Sequence, residues 1–137
     1  MSKTIRFGVS LEEALLDNFD RLIKSRKYTN RSEAIRDLIR QELLNKDLEE
    51  DREVAGAITF IYDHHQRNLL NKIIDIQHDH HDIIQSSQHI HLDHHHCLEI
   101  VAVKGKSSKV GKLADTLKSL KDVKNGSLNM SSTGKIE

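Results

Sequence analysis

Proline and tryptophan are absent from this 137-residue chain, and aromatic side chains make up only 4% of it. A core must therefore be assembled chiefly from Ile, Leu and Val. One cysteine, Cys97, excludes an internal disulfide framework and fits a reducing compartment. Neither sign of charge prevails, with 21 basic and 21 acidic residues, so any surface that attracts nucleic acid must be local. Long apolar runs are missing too. The stretch Leu98 to Val103 is interrupted by Glu99 and falls far short of the ~20 residues that span a bilayer. The first ten residues lack the apolar segment of a signal peptide. These absences predict a soluble, cytoplasmic protein. No glycine-rich phosphate loop or recognisable carboxylate pair is present, so catalysis is not expected. A Cys–His nucleophile is the one enzymatic alternative, and the histidine spacing suits metal better.

What the chain does have is ten histidines and two halves of different pattern. In the first half Ile5, Phe7 and Val9 alternate with polar residues, the two-residue period of a strand with one buried face. Ser10 with Glu13 reads as a capping box opening a helix whose apolar stripe is Leu15, Phe19, Leu22 and Ile23. That helix is expected to stop between Arg26 and Thr29. Asn30, followed by Glu33, caps a second helix with the stripe Ile35, Leu38, Ile39 and Leu43. A strand–helix–helix unit of residues 1–46 is small for independent folding, and its strand has no partner in its own half. An obligate dimer with paired N-terminal strands is the expected solution.

Residues 47–53 carry five acids with Lys46 ahead of them and read as a helix end and linker. From 54 to 137 the pattern gives a strand from Val54 to Tyr62 and a helix from Gln66 to about His80. Strands from Ser86 to Leu92 and Cys97 to Lys104 follow, then a helix from Ser108 to Leu120 and a strand from Val123 to Met130. That βαββαβ order is ferredoxin-like (the ACT-like variant), so the whole chain is α+β.

The chemistry concentrates in His89-Ile90-His91-Leu92-Asp93-His94-His95-His96-Cys97. His89 and His91, two apart on a strand, share one face. Along a continuous strand Cys97 would lie about 20 Å from His91. The polar run between them allows a turn that returns the cysteine opposite the histidine pair. Two imidazoles and a thiolate make three ligands, and the cluster Gln77 to His81 offers a fourth. This set suits a late divalent transition metal: Ni(II) or Cu(II) if square planar, Zn(II) if tetrahedral. The triplet His94 to His96 reads as solvated, at most an auxiliary site. His64 and His65 read as exposed, with His64 available to a non-cognate metal.

A strand-paired dimer of strand–helix–helix units is also how β-ribbon proteins enter the DNA major groove. Arg6, Gly8 and Ser10 face outward, and arginine is the best reader of guanine. Asn30, Arg31 and Ser32, at the start of the second helix, offer N–H groups and a cation to phosphate. Residues 1 to 46 hold ten basic and seven acidic side chains. A metal buffer would need the histidines but not Arg6. A metal-independent antitoxin would leave Cys97 without a role.

The chain resembles the nickel-responsive ribbon-helix-helix regulators along nearly its whole length. The resemblance rests on Ile5-Arg6-Phe7, on Tyr28 followed by Asn30-Arg31-Ser32-Glu33-Ala34-Ile35-Arg36-Asp37, and on Gln77-His78, His89-Ile90-His91 and Cys97-Leu98-Glu99. It implies a repressor of nickel-uptake or nickel-related genes, assembled as a homotetramer that binds operator DNA. Ni(II), one ion per subunit, would be held in a square plane by His89, His91 and Cys97 with His78 of a neighbouring chain. Glu99 and Gln77 would be hydrogen-bond partners behind those ligands. Glu33 and Asp37 match positions that hold a monovalent cation, potassium, in the DNA-bound form; Arg36 and Arg40 are the alternative neutralisers. Gly8 departs from the pattern, standing where the family commonly has a hydroxyl residue. His80, His81 and His94 to His96 are donors additional to it.

Overall fold

A computed structural model describes residues 3–133 of the chain. They divide into two compact units, one up to Leu43 and one from Leu44 onward. No described helix is long and apolar enough to cross a membrane.

In the first unit, helix α1 spans Glu13–Ser25. Helix α2, Arg31–Glu49, begins here and runs on into the second unit, so it occupies the first three positions of the expected linker. Glu12, not Ser10, is the N-cap of α1, and its carbonyl accepts the first helical bond from Leu16 N–H at 3.0 Å. Leu11 extends the apolar alternation of residues 5, 7 and 9, so the chain stays non-helical through it. The α1–α2 turn closes with Lys27 in the left-handed region at φ 59°. Tyr28 N–H reaches back to Ile23 O at 3.0 Å and Lys27 N–H to Lys24 O at 3.2 Å, a Schellman ending. Asn30 caps α2, its Oδ1 accepting from Glu33 N–H at 2.9 Å.

The expected N-terminal strand is not formed within one chain: residues 3–12 carry no assigned secondary structure. A strand is defined by hydrogen bonds to a neighbour, and the described residues of this half contain no second strand. Ile5, Phe7 and Val9 stand exposed, as do Leu15, Leu38 and Ile39 from the two expected helix stripes. Among the described residues of this unit only Ala34 is buried.

The second unit closes its own core. Strands β1 (Glu53–Asp63), β2 (Ile84–His91), β3 (His96–Lys106) and β4 (Lys124–Ser132) form an antiparallel sheet in the order β2-β3-β1-β4. Helices α3 (Arg67–Asp79) and α4 (Ser107–Lys118) supply Leu69, Ile73, Val110, Leu113 and Leu117 to the core. Alternate residues of β1 and β3 meet them: Val54, Ile58, Phe60 and Tyr62, with Val101 and Val103. Asp51, at the turn before β1, caps α4 by accepting Ser108 N–H at 2.8 Å, the largest cause of its lowered pKa. β2 lies at the sheet edge, and all of it beyond Ile84 is exposed.

Candidate metal centre

The β2–β3 hairpin brings the sequence-distant donors together. His91 pairs with Cys97 and His89 with Glu99 across the two strands. Paired residues share a sheet face, so both histidines lie on the face of Cys97 and Glu99, which the helices cover over β1 and β3. At the β2 edge that cover ends: Cys97 and Glu99 are buried, His89 and His91 exposed.

Asp93 makes the turn. Its Oδ1 accepts the N–H groups of His95 and His96, each at 2.8 Å, and His96 Nδ1 lies 3.0 Å away. The His95 N–H is the largest cause of a carboxyl pKa held down to about 2, with the His96 contacts adding to it. Leu92 N–H closes the hairpin on His96 O at 2.9 Å.

Both nitrogens of His89 are engaged. Nε2 lies 3.2 Å from Glu99 Oε1, and Nδ1 lies 3.0 Å from the Tyr62 hydroxyl. The neutral Nε2–H tautomer satisfies both contacts. Burial, then the neighbouring Glu99 and Cys97, raises the Tyr62 pKa, which keeps that hydroxyl protonated. Gln77 Nε2 donates to the same Glu99 oxygen at 2.9 Å. The other oxygen, Oε2, is buried without a hydrogen-bond partner among the described residues, a costly state for a polar atom. A buried thiol, a buried carboxylate with a free lone pair and two neighbouring imidazoles fit a late divalent transition ion.

The donors do not converge fully in a single chain. Among the described residues, His89, His91 and Cys97 do not bring three ligand atoms within 4.8 Å of one another. His78, exposed near the end of α3, is not grouped with them; its ring stacks on His81 at a centroid separation of 6.0 Å. His80 Nδ1 lies 2.8 Å from Ile76 O. His91 meets His64 edge-on at 4.9 Å between centroids. His64 is not wholly exposed as its sequence context suggests: its Nδ1 is buried and unpartnered, and burial, then His65 and His91, depresses its pKa.

Tyr62 escaped sequence reasoning. The available signal was its place as an inward residue of β1, in register with Cys97.

In the N-terminal unit, Arg6, Gly8 and Ser10 are exposed on the unpaired segment. Arg31 forks onto Asp20, with Nε–Oδ1 3.0 Å and Nη2–Oδ2 2.9 Å, and so ties α2 to α1. Asn30 is occupied as the cap of α2. Glu33 pairs with Arg36 at 2.9 Å, and Asp37 accepts the Tyr28 hydroxyl. Each carboxylate of the expected cation pair therefore has a protein partner.

Comparison with known proteins agrees with both halves. Residues 5–46 match the ribbon-helix-helix proteins of the copG family, and residues 55–131 match the NikR C-terminal nickel-binding domain. Proteins named as nickel-responsive regulators are similar over almost the full length. One from Syntrophus aciditrophicus is 68% identical over 136 residues, covering 99% of each chain. Another from Chlorobium limicola is 57% identical over 134 residues, covering 98% of this chain and all of that one. An uncharacterized Thermotoga maritima protein of solved structure shares the fold at TM-score 0.53 and 10% identity, over 58% of this chain and 98% of its own. With both domain matches in place and such relatives along its length, the chain belongs to the family of nickel-responsive ribbon-helix-helix regulators.

Proposed function

We propose that this protein represses nickel-uptake or nickel-related genes, and that nickel bound in its C-terminal half favours binding of the N-terminal half to operator DNA. The observation that carries the proposal is the hairpin register, which sets His91 against Cys97 and His89 against Glu99. His89, His91 and Cys97 would hold one ion per chain, with the partner subunit's His78 as fourth donor. The exposed edge strand β2 supports a site completed by a second chain. Both His89 nitrogens are in use, so ligation releases either the Glu99 or the Tyr62 contact. A bound cation also answers the unpartnered Glu99 oxygen. Nickel supplies charge and a cross-link between chains.

In the N-terminal unit, the exposed Ile5, Phe7 and Val9 support strand pairing between two chains. A dimer so formed places Arg6 and Ser10 on the outward face for base edges, with Gly8 approaching through its backbone. The first N–H groups of α2, at Arg31 and Ser32, have no partner within a helix and suit phosphate. Two such dimers on one tetrameric core present two reading heads at once. Nickel acts by preferring the arrangement in which both heads reach one stretch of cytoplasmic DNA, a population shift. Potassium at Glu33 and Asp37 belongs to this DNA-bound form and would displace Arg36 and Tyr28.

Two experiments test the site. Cys97→Ala should abolish tight nickel binding and the thiolate–Ni(II) charge-transfer absorption while the protein stays folded. Mixing His78→Ala with Cys97→Ala protein should restore part of that absorption through sites completed between chains. An unchanged spectrum in Cys97→Ala removes the assignment, and no recovery on mixing makes the site internal to one chain.

A further inference from the structure

Outside the proposed nickel ligands, one cluster of donors among the described residues is already assembled within a single chain. Asp63 ends β1, His65 lies two residues beyond it, and His95 sits in the β2–β3 turn. One ligand atom from each lies within 4.8 Å of the others. Register explains the meeting: Asp63 pairs with His96, so the end of β1 and the hairpin turn lie side by side. The cluster is also oriented. Asp63 Oδ1 accepts His65 N–H at 2.9 Å, with His65 Nδ1 3.3 Å away. His95 N–H is held by Asp93, and the His65 and His95 rings meet edge-on at 5.5 Å between centroids. His64, His65, His91, Leu92, Asp93 and His94 line an open cleft at this end of the sheet.

We propose that Asp63, His65 and His95 form a second metal site, separate from the His89, His91 and Cys97 set, for a divalent late first-row transition ion. Two imidazoles are borderline donors and the carboxylate a hard one, a mixed set that takes Ni(II), Cu(II) or Zn(II), whereas the hard ions Mg(II) and Ca(II) call for oxygen alone. Ligand atoms around a tetrahedral ion lie about 3.3–3.5 Å apart, so the side chains close by an ångström or so. His65 and His95 are exposed and Asp63 half-buried, which lets water complete the shell. With three protein ligands, no thiolate and open access to solvent, the site binds more weakly than one containing Cys97. An ion there ties the end of β1 to the turn that separates His91 from Cys97, and so braces the hairpin at higher metal concentration.

The test is equilibrium dialysis of the full-length protein against Ni(II), with total metal measured beside the thiolate–Ni(II) absorption. The absorption reports the Cys97 site alone, so failure there is distinguishable from failure here. Wild-type protein should take up one further equivalent per chain after the absorption has saturated. His65→Gln and His95→Gln should each weaken that uptake at least tenfold with the absorption unchanged. Asp63→Asn, which retains an oxygen for the His65 N–H, should weaken it too. His94→Gln, in the same turn but outside the cluster, should retain it. The proposal is overturned if wild type binds no further equivalent, if uptake persists in a His65→Gln/His95→Gln variant, or if His94→Gln removes it equally. Loss of the absorption in both single histidine variants would mark a structural effect and also overturn it.

Discussion

The two units of this chain solve the problem of burial in opposite ways. From Leu44 onward, one sheet face, α3, α4 and the end of α2, through Leu44 and Leu48, enclose Phe60, Ile58, Ile73 and Leu113. Up to Leu43, the equivalent apolar residues lie bare: Phe7 is 71% exposed and Ile5 78%. Both patterns are sound amphipathic sequence. The difference is that the first unit has one extended segment and two helices, too little to cover its own apolar faces. In the proposed dimer a second chain would complete its fold, and the same pairing would build the reading surface for DNA. The C-terminal unit is complete as a fold and incomplete as a metal site.

The sharpest way to break this comparison is to truncate one phenylalanine in each unit. Phe60→Ala should cost about 3–5 kcal/mol in urea unfolding, because it opens a cavity in a closed core. Phe7→Ala should cost nearly nothing if the single chain were the whole story. We expect a loss of similar size, deepening as the protein is diluted and accompanied by loss of operator binding. A cost near zero at every concentration would mean that the N-terminal strands do not pair.

Next in size, Arg6→Ala should weaken specific DNA binding by about 1–3 kcal/mol and leave binding to random DNA little changed. Equal losses on both would make Arg6 a phosphate contact. In the other unit, Tyr62→Phe removes the hydroxyl beside His89 Nδ1. Nickel affinity should fall about 10–100-fold if that hydroxyl orients the ligand, and competition with a chelator measures it. Unaltered affinity would make the Tyr62 bond the one that ligation breaks.

The smallest effect is on pH. The Asp93 carboxyl sits at about 2 in the folded chain, against about 3.9 unfolded. Its folded value is the lower one, so its stabilisation is full above about pH 4 and is lost as pH falls towards 2. In metal-free protein the hairpin amides of His95 and His96 should lose protection over that window. In Asp93→Asn that dependence should vanish. A wild-type profile that matches the variant's would remove Asp93 from the turn's stability.

Most of the C-terminal fold was legible, since each element carries its own period and the βαββαβ order restricts the sheet to few topologies. The hairpin was legible for a chemical reason: His91 and Cys97 serve one ion only if the chain turns at Asp93. Contacts made by register across strands were not. Tyr62 against His89, and Asp63 with His65 near His95, depend on which residue of β1 faces which residue of β3. Periodicity gives the face of a residue but not its opposite number. In the N-terminal half, the two-residue alternation identified a strand that one chain has nothing to pair with. Ser10 was a misleading cap because Leu11 prolongs that alternation. The Arg31–Asp20 fork joins residues of two helices, and helix–helix contacts are not set by spacing along either one.

The central claim, that metal in one unit governs DNA binding by the other, is tested most directly by titrating operator DNA with the intact protein, with and without nickel, and titrating nickel with and without operator. Linkage requires both affinities to rise by the same factor, expected at about 5–150-fold. If nickel leaves operator affinity unchanged, or if operator leaves nickel affinity unchanged, the two units are not coupled and the account is wrong.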